Sequence, residues 1–198
     1  MSRIRTISDE KILNATIELV GRHGVDKLTF ASLSSHTGLA PATLVQRFGT
    51  KQRLLTAVTK HCLQSMAPTL VAARDEYASP LQAILMAFTS MAKAVTSVKE
   101  FANGQVFFYL ALTDKEANAL LHKSTMESLE KIRQLLNEAV QAKELRPCDT
   151  AALALSLQTT YEGAITTWLI YQQGTTEEWV TNRLVEVLTP YKNGKYNQ

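Results

Sequence analysis

Between Thr29 and Lys51 the chain reads TFASLSSHTGLAPATLVQRFGTK, and this stretch limits the fold more than any other. Thr29 is an N-cap residue for a short helix whose inward positions are Phe30, Leu33 and Ser34. Thr37-Gly38-Leu39 predicts a tight turn, because Gly38 takes a positive φ at no steric cost and Leu39 can plug a small core. A second helix starts near Pro41, since proline at the first helical position gives up a donor that has no partner there. Leu44 and Phe48, four apart, face inward, while Thr43, Gln46 and Arg47 take the opposite face. Gly49 ends that helix and Thr50 starts the next. Lys51 then falls in a first turn, where the helix dipole disfavours a cation unless an anion arrives.

Upstream, Ser8 caps a first helix with Asp9 and Glu10 in its opening turn. Ile12, Leu13, Ala15, Ile17, Leu19 and Val20 give it a buried face, and His23-Gly24 ends it. Residues 1–7 read as a loose basic arm. Charge follows the same division. Residues 1–60 hold nine Lys/Arg against four acids, a net +5, whereas residues 61–198 hold 12 against 14, a net −2. A basic head on a near-neutral body is the pattern of a polyanion binder.

The rest reads as helices throughout. A helix from Lys51 to about Met66 ends at a break or kink at Pro68, and Thr69–Tyr77 continues. Ser79-Pro80-Leu81-Gln82 starts another, and Phe101–Leu112 a further one. Thr113-Asp114-Lys115-Glu116 opens a long helix to about Lys143. Asp149 or Thr150 caps a helix that runs to Gly174, and Thr175–Glu178 caps the last, which ends near Leu188 before a frayed tail. With no β alternation and no hairpin dipeptide, the expected fold class is all-α. The expected domains are a helix-turn-helix head over residues 1–50 and a helical bundle over 51–198, with the helix at 51–66 as connector.

No apolar run approaches membrane-spanning length and the N-terminus lacks a secretory segment, so the expected location is the cytoplasm, with no membrane partner. Cys62 and Cys148 are distant thiols with no metal-ligand spacing. No HExxH, P-loop, GxGxxG or GxSxG occurs, so no catalytic residue, metal or cofactor is expected, and the chain is not read as an enzyme.

Ile12-Leu13-Asn14-Ala15, Gly24, Thr29, Gly38, Thr43-Leu44, Phe48-Gly49-Thr50-Lys51 and Leu54-Leu55 together resemble the N-terminal domain of the tetracycline-repressor (TetR) family of bacterial regulators, without gaps over residues 8–57. The resemblance implies a DNA-binding head, an effector-binding helical body and a homodimer, most often acting as a repressor. The chain departs from that pattern at Ala31, Ala40, Pro41, Ala42 and Val45, where the family often carries arginine, serine, lysine, glycine and tyrosine. Fewer polar groups are left for contact, so Gln46 and Arg47 carry more of the recognition.

The expected DNA contacts are therefore Thr29, Thr43, Val45, Gln46, Arg47 and Lys51. Gln46 suits adenine, the Val45 or Thr43 methyl suits thymine, and Thr29, Arg47 and Lys51 suit phosphates. For a small-molecule effector the candidate lining is Phe88, Met91, Phe107, Phe108, Met126, Tyr161, Glu162, Trp168 and Tyr171, since methionines and aromatics with a few polar tips are a usual pocket lining. The same apolar excess also serves dimerisation through the last two helices, with Trp168, Leu169, Trp179, Leu184 and Leu188 as anchors. The competing function is a helical small-molecule-binding or catalytic protein whose head does not read DNA. Salt-independent retention on DNA or heparin would favour that alternative.

Overall fold

The computed structural model describes residues 7–63 and 66–193. The described residues are helical apart from loops, 3-10 turns and one isolated bridge, Leu145 to Lys192. The helices are α1 (Asp9–His23), α2 (Phe30–Thr37), α3 (Pro41–Phe48), α4 (Lys51–Cys62), α5 (Met66–Glu76), α6 (Pro80–Lys93), α7 (Val98–Thr113), α8 (Lys115–Gln141), α9 (Thr150–Tyr171) and α10 (Thr176–Leu188). They form two compact units. One gathers the chain up to Ser65 with Ser97–Lys123, and the other gathers Met66–Thr96 with the chain from Ser124 onward.

The first unit is built on the expected caps. Ser8 accepts from the Lys11 N–H, Thr29 from Ser32 and Thr50 from Arg53. Thr29 and Ser32 satisfy each other's backbone N–H groups, a capping box made with serine in place of the usual Glu or Gln. Gly38 takes the left-handed conformation at φ 75° and turns α2 into α3. Ile12, Val20, Leu28, Leu33, Leu44, Leu54 and Val58 are almost wholly buried in one cluster, and Phe107 of α7 lies in that same cluster. The three-helix head therefore does not close its core alone; α7 packs along α1 and α4. Asn103 of α7 donates from Nδ2 to the Gly21 carbonyl at 2.7 Å.

In the second unit α10 packs against α9 and α6, and α5 against α6. Phe88, Ile84, Leu157, Leu184 and Leu188 are buried there. Helix α9 buries Leu153, Ala154, Leu157, Ala164 and Ile165, whereas Leu155, Ile170 and Tyr171 stand 53%, 72% and 61% exposed in the single chain, among the exposed Thr159, Glu162 and Thr166.

Several element ends differ from the sequence reading. The break after α4 comes at Leu63, before Pro68, and α5 starts at Met66 with Pro68 inside its first turn, where no intrahelical donor is lost. Helix α7 begins at Val98, because Ser97 accepts from the Glu100 N–H. Asp114 rather than Thr113 caps α8, accepting from Ala117, and α8 ends at Gln141. Helix α9 ends at Tyr171, since Gln172 adopts the left-handed conformation at φ 49° ahead of Gly174. The tail is anchored further than expected. Asn193 donates to the Lys143 and Leu145 carbonyls, and the Arg146 guanidinium lies over the Tyr191 ring. Residues 1–6 of the expected arm and 194–198 of the expected frayed tail lie outside the described residues.

Candidate nucleic-acid interface

Helix α3 has a buried underside and an open outer side. Leu44 is 0% exposed and Phe48 half-buried, while Ala42, Val45 and Gln46 are exposed and Thr43 is partly covered. Its N-cap, Ala40, supplies no side-chain acceptor; Pro41 has no N–H to cap, and the Thr43 N–H donates to the Ala40 carbonyl at 3.0 Å. At the N-terminus of α2, Thr29 is exposed, but its hydroxyl oxygen already accepts from the Ser32 N–H at 3.0 Å.

The two cations expected at phosphates both reach backbone carbonyls. Arg47 donates from Nη1 to the Ile7 carbonyl at 2.6 Å, and its Nε lies 3.4 Å from the Asp9 carboxylate. It therefore braces the entry to α1 against the end of α3. Lys51 donates from Nζ to the Val25 carbonyl at 2.7 Å and ties the start of α4 to the 3-10 turn Val25–Lys27. These contacts answer the dipole problem of a lysine in a first turn locally, with a carbonyl in place of an outside anion. Both cations keep further donors: the ammonium has three and the guanidinium five. One cation missed by sequence reasoning is Arg53, exposed on the same turn of α4 as Lys51. Its basic residue type at that position was the available signal.

The candidate effector residues fall into both units. Phe107 is core of the first unit, and Phe108 stands beside it in sequence, 47% exposed, edge-on to Tyr109 at 6.0 Å. In the second unit Phe88 is buried with its ring 5.0 Å from that of Tyr161, and burial, with the Glu162 charge adding to it, pushes the Tyr161 hydroxyl up to about 12. Met91 and Trp168 are half-buried, and the Trp168 indole N–H donates to the Gly174 carbonyl at 3.2 Å. Tyr171 is stacked on Trp179 at 5.8 Å, and Met126 is exposed. Glu162 is exposed and accepts from Gln158 Nε2 at 2.8 Å. Gln158, also missed by sequence reasoning, is buried with its Oε1 unpartnered. Of the expected dimer anchors, Leu184 and Leu188 are buried inside their own unit. The apolar groups that remain accessible on α9 are Leu155, Ile170 and Tyr171. Among the described residues no cluster of His, Cys, Asp and Glu is arranged to hold a metal ion.

Residues 12–58 match the bacterial regulatory proteins of the tetR family, and residues 80–176 match the C-terminal domain of LmrA/YxaF-like transcriptional regulators. No curated protein sequence matches the chain. Among solved structures the chain is similar to the TetR family transcriptional regulator PfmR from Thermus thermophilus, at 17% identity over 90% of this chain and 97% of that one, TM-score 0.66. It is similar to SmeT, the repressor of the Stenotrophomonas maltophilia multidrug efflux pump SmeDEF, at 16% identity over 98% and 94%, TM-score 0.69. It is also similar to FadR from Bacillus subtilis in complex with stearoyl-CoA, at 14% identity over 92% and 98%, TM-score 0.67. The structural likenesses at these identities show a shared fold. The two sequence matches together span the helix-turn-helix head and most of the second half, and the chain belongs to the TetR family of transcriptional regulators.

Proposed function

We propose that this regulator acts as a homodimer that holds a near-palindromic operator and releases it when a small apolar or amphipathic effector binds. The observation that carries the reading is α3, whose buried Leu44 fixes the helix while Val45 and Gln46 stand free on its outer side. Two such helices, one per protomer, suit successive major grooves about 34–36 Å apart. Gln46 offers the donor–acceptor pair that adenine takes, and the Val45 and Thr43 methyls suit thymine. We assign Thr29, Arg47 and Lys51 to the phosphate backbone, for which both cations have donors left. On this reading residues 1–50 are the DNA-reading part and residues 51–198 serve effector binding and dimerisation, with α4 as connector.

The exposed Leu155 and Ile170 side chains of α9, with Gly163 between them, support self-association. For the effector, Phe88, Met91 and Tyr161 supply apolar wall. The unpartnered Gln158 Oε1 supplies an acceptor whose desolvation, about 1–3 kcal/mol, a ligand N–H or O–H would offset. FadR's stearoyl-CoA and SmeT's link to multidrug efflux fit an apolar or amphipathic ligand. An effector that prefers the DNA-incompetent state by a few kcal/mol shifts operator occupancy by orders of magnitude.

The test is a gel-shift titration on duplexes selected from a random pool. Gln46→Ala is expected to change the preferred sequence, and Lys51→Ala to weaken all sequences alike. Unchanged binding by both variants would overturn the assignment. Stearoyl-CoA and other amphipathic probes, added to the same titration, test release.

A further inference from the structure

We propose that the effector site of the second unit selects a neutral amphiphile with a hydroxyl head, an alcohol over a carboxylate or an ether, and that the Gln158 amide makes the choice. The inference rests on the effector-binding reading above and narrows it to one head group. Among the buried residues of α9, Gln158 is the polar one; Ala154, Leu157 and Ile165 share its burial. The orientation of its amide is fixed from outside. Glu162, one turn along, is exposed, and its carboxylate can only accept. Gln158 Nε2 therefore faces it and donates to Oε1 at 2.8 Å. The Gln158 carbonyl oxygen turns the other way, where it is buried with no hydrogen-bond partner among the described residues. Turning the amide over would set two acceptors against each other, so the orphaned acceptor stays in place.

A buried carbonyl left without a donor destabilises the fold, whereas an apolar side chain of similar size in its place does not. Such an atom answers to a donor that arrives with a ligand. Tyr161 lies three residues on, on the same side of α9, half-buried, with its ring 5.0 Å from that of Phe88. The Tyr161 hydroxyl has no hydrogen-bond partner among the described residues. A ligand hydroxyl matches both tips. It donates to the Gln158 carbonyl and accepts from the Tyr161 O–H, while the Phe88 ring offers its chain apolar contact. A carboxylate or an ether brings acceptors alone and leaves the Gln158 carbonyl orphaned. A carboxylate also sets its charge against that of Glu162.

Calorimetric titration of the whole chain with n-decanol, decyl methyl ether and decanoate at neutral pH tests the choice. Wild type is expected to bind the alcohol about tenfold more tightly than the ether or the carboxylate, as pairing one buried acceptor allows. Gln158→Leu is expected to bind alcohol and ether alike. Its melting temperature is expected to hold or rise, because the orphan is gone, whereas losing a glutamine that served the fold alone would lower it. Glu162→Lys changes an exposed position and leaves Gln158 itself in place. An ammonium can only donate, so it takes the Gln158 carbonyl and turns the amide N–H groups inward. The alcohol is then expected to lose its advantage, with decanoate gaining most. Equal affinity of wild type for alcohol and ether, or an alcohol preference kept by either variant, would overturn the proposal. If wild type binds none of the three, it is the effector-binding reading that fails, and the proposal falls with it.

Discussion

Cys62 and Tyr161 show how single residues tie this fold to solution conditions. Burial pushes the Cys62 thiol from an ordinary 9.0 to about 11, and pushes the Tyr161 hydroxyl from 10.0 to about 12. Both folded values lie above the unfolded ones, so the neutral forms are the ones the fold accommodates. Their stabilisation is fully present below about pH 9 and is lost as pH rises towards 12. Each contributes on the order of 2 kcal/mol across its window. Chemical denaturation at a series of alkaline pH values is expected to show the midpoint falling in this range. Cys62→Val is expected to delay the onset to the Tyr161 window, and a midpoint unaffected by pH would contradict the burial of both groups. At the same scale, what was legible in the sequence was residue type and spacing, not partners. Thr29, Thr50 and Asp149 read as caps and cap. Arg47 and Lys51 read as outward cations, but their carbonyl partners lie 40 and 26 residues away, a separation that no local pattern announces.

At the scale of elements, the helices were legible because periodicity and caps are local. The errors fell where two local signals competed. Ser97 and Glu100 form a start signal upstream of Phe101, and α7 begins there, at Val98. Gln172 closes α9 in a conformation that favours glycine, two residues ahead of Gly174. Helix α9 carries the sharper consequence. Gly163 lies inside it with nothing within 4 Å of where its Cβ would be, in a shallow groove floored with Ala164, Thr167 and Val187. A helix-interior glycine costs roughly 0.5–1 kcal/mol against alanine, and nothing in the single chain requires it. On the homodimer reading a second copy does, through close approach of its own α9. Gly163→Leu is therefore expected to leave the folded helical signal intact, while sedimentation shows a monomer. A Gly163→Leu protein that still sediments as a dimer would place the interface elsewhere.

At the scale of the whole molecule, the compact unit that holds the head also takes in Ser97–Lys123. The head's hydrophobic cluster takes in Phe107, with Val106 and Leu110 packed against it, from a helix more than thirty residues beyond α4. A protein cut after Ser65 keeps every residue of the helix-turn-helix but loses that wall. It is expected to lack a cooperative thermal transition by circular dichroism, and a sharp transition would show the head to be self-sufficient. Pattern reading could not foresee this, because long-range packing follows from volume and shape, whereas periodicity reports only which side of a helix is apolar. Asn103, which bonds to the Gly21 carbonyl, belongs to the same late-arriving helix. The ribosome makes Thr29–Lys51 early and α7 much later. A nascent chain therefore carries α3 for much of its synthesis without the α7 side chains that complete the core beneath it.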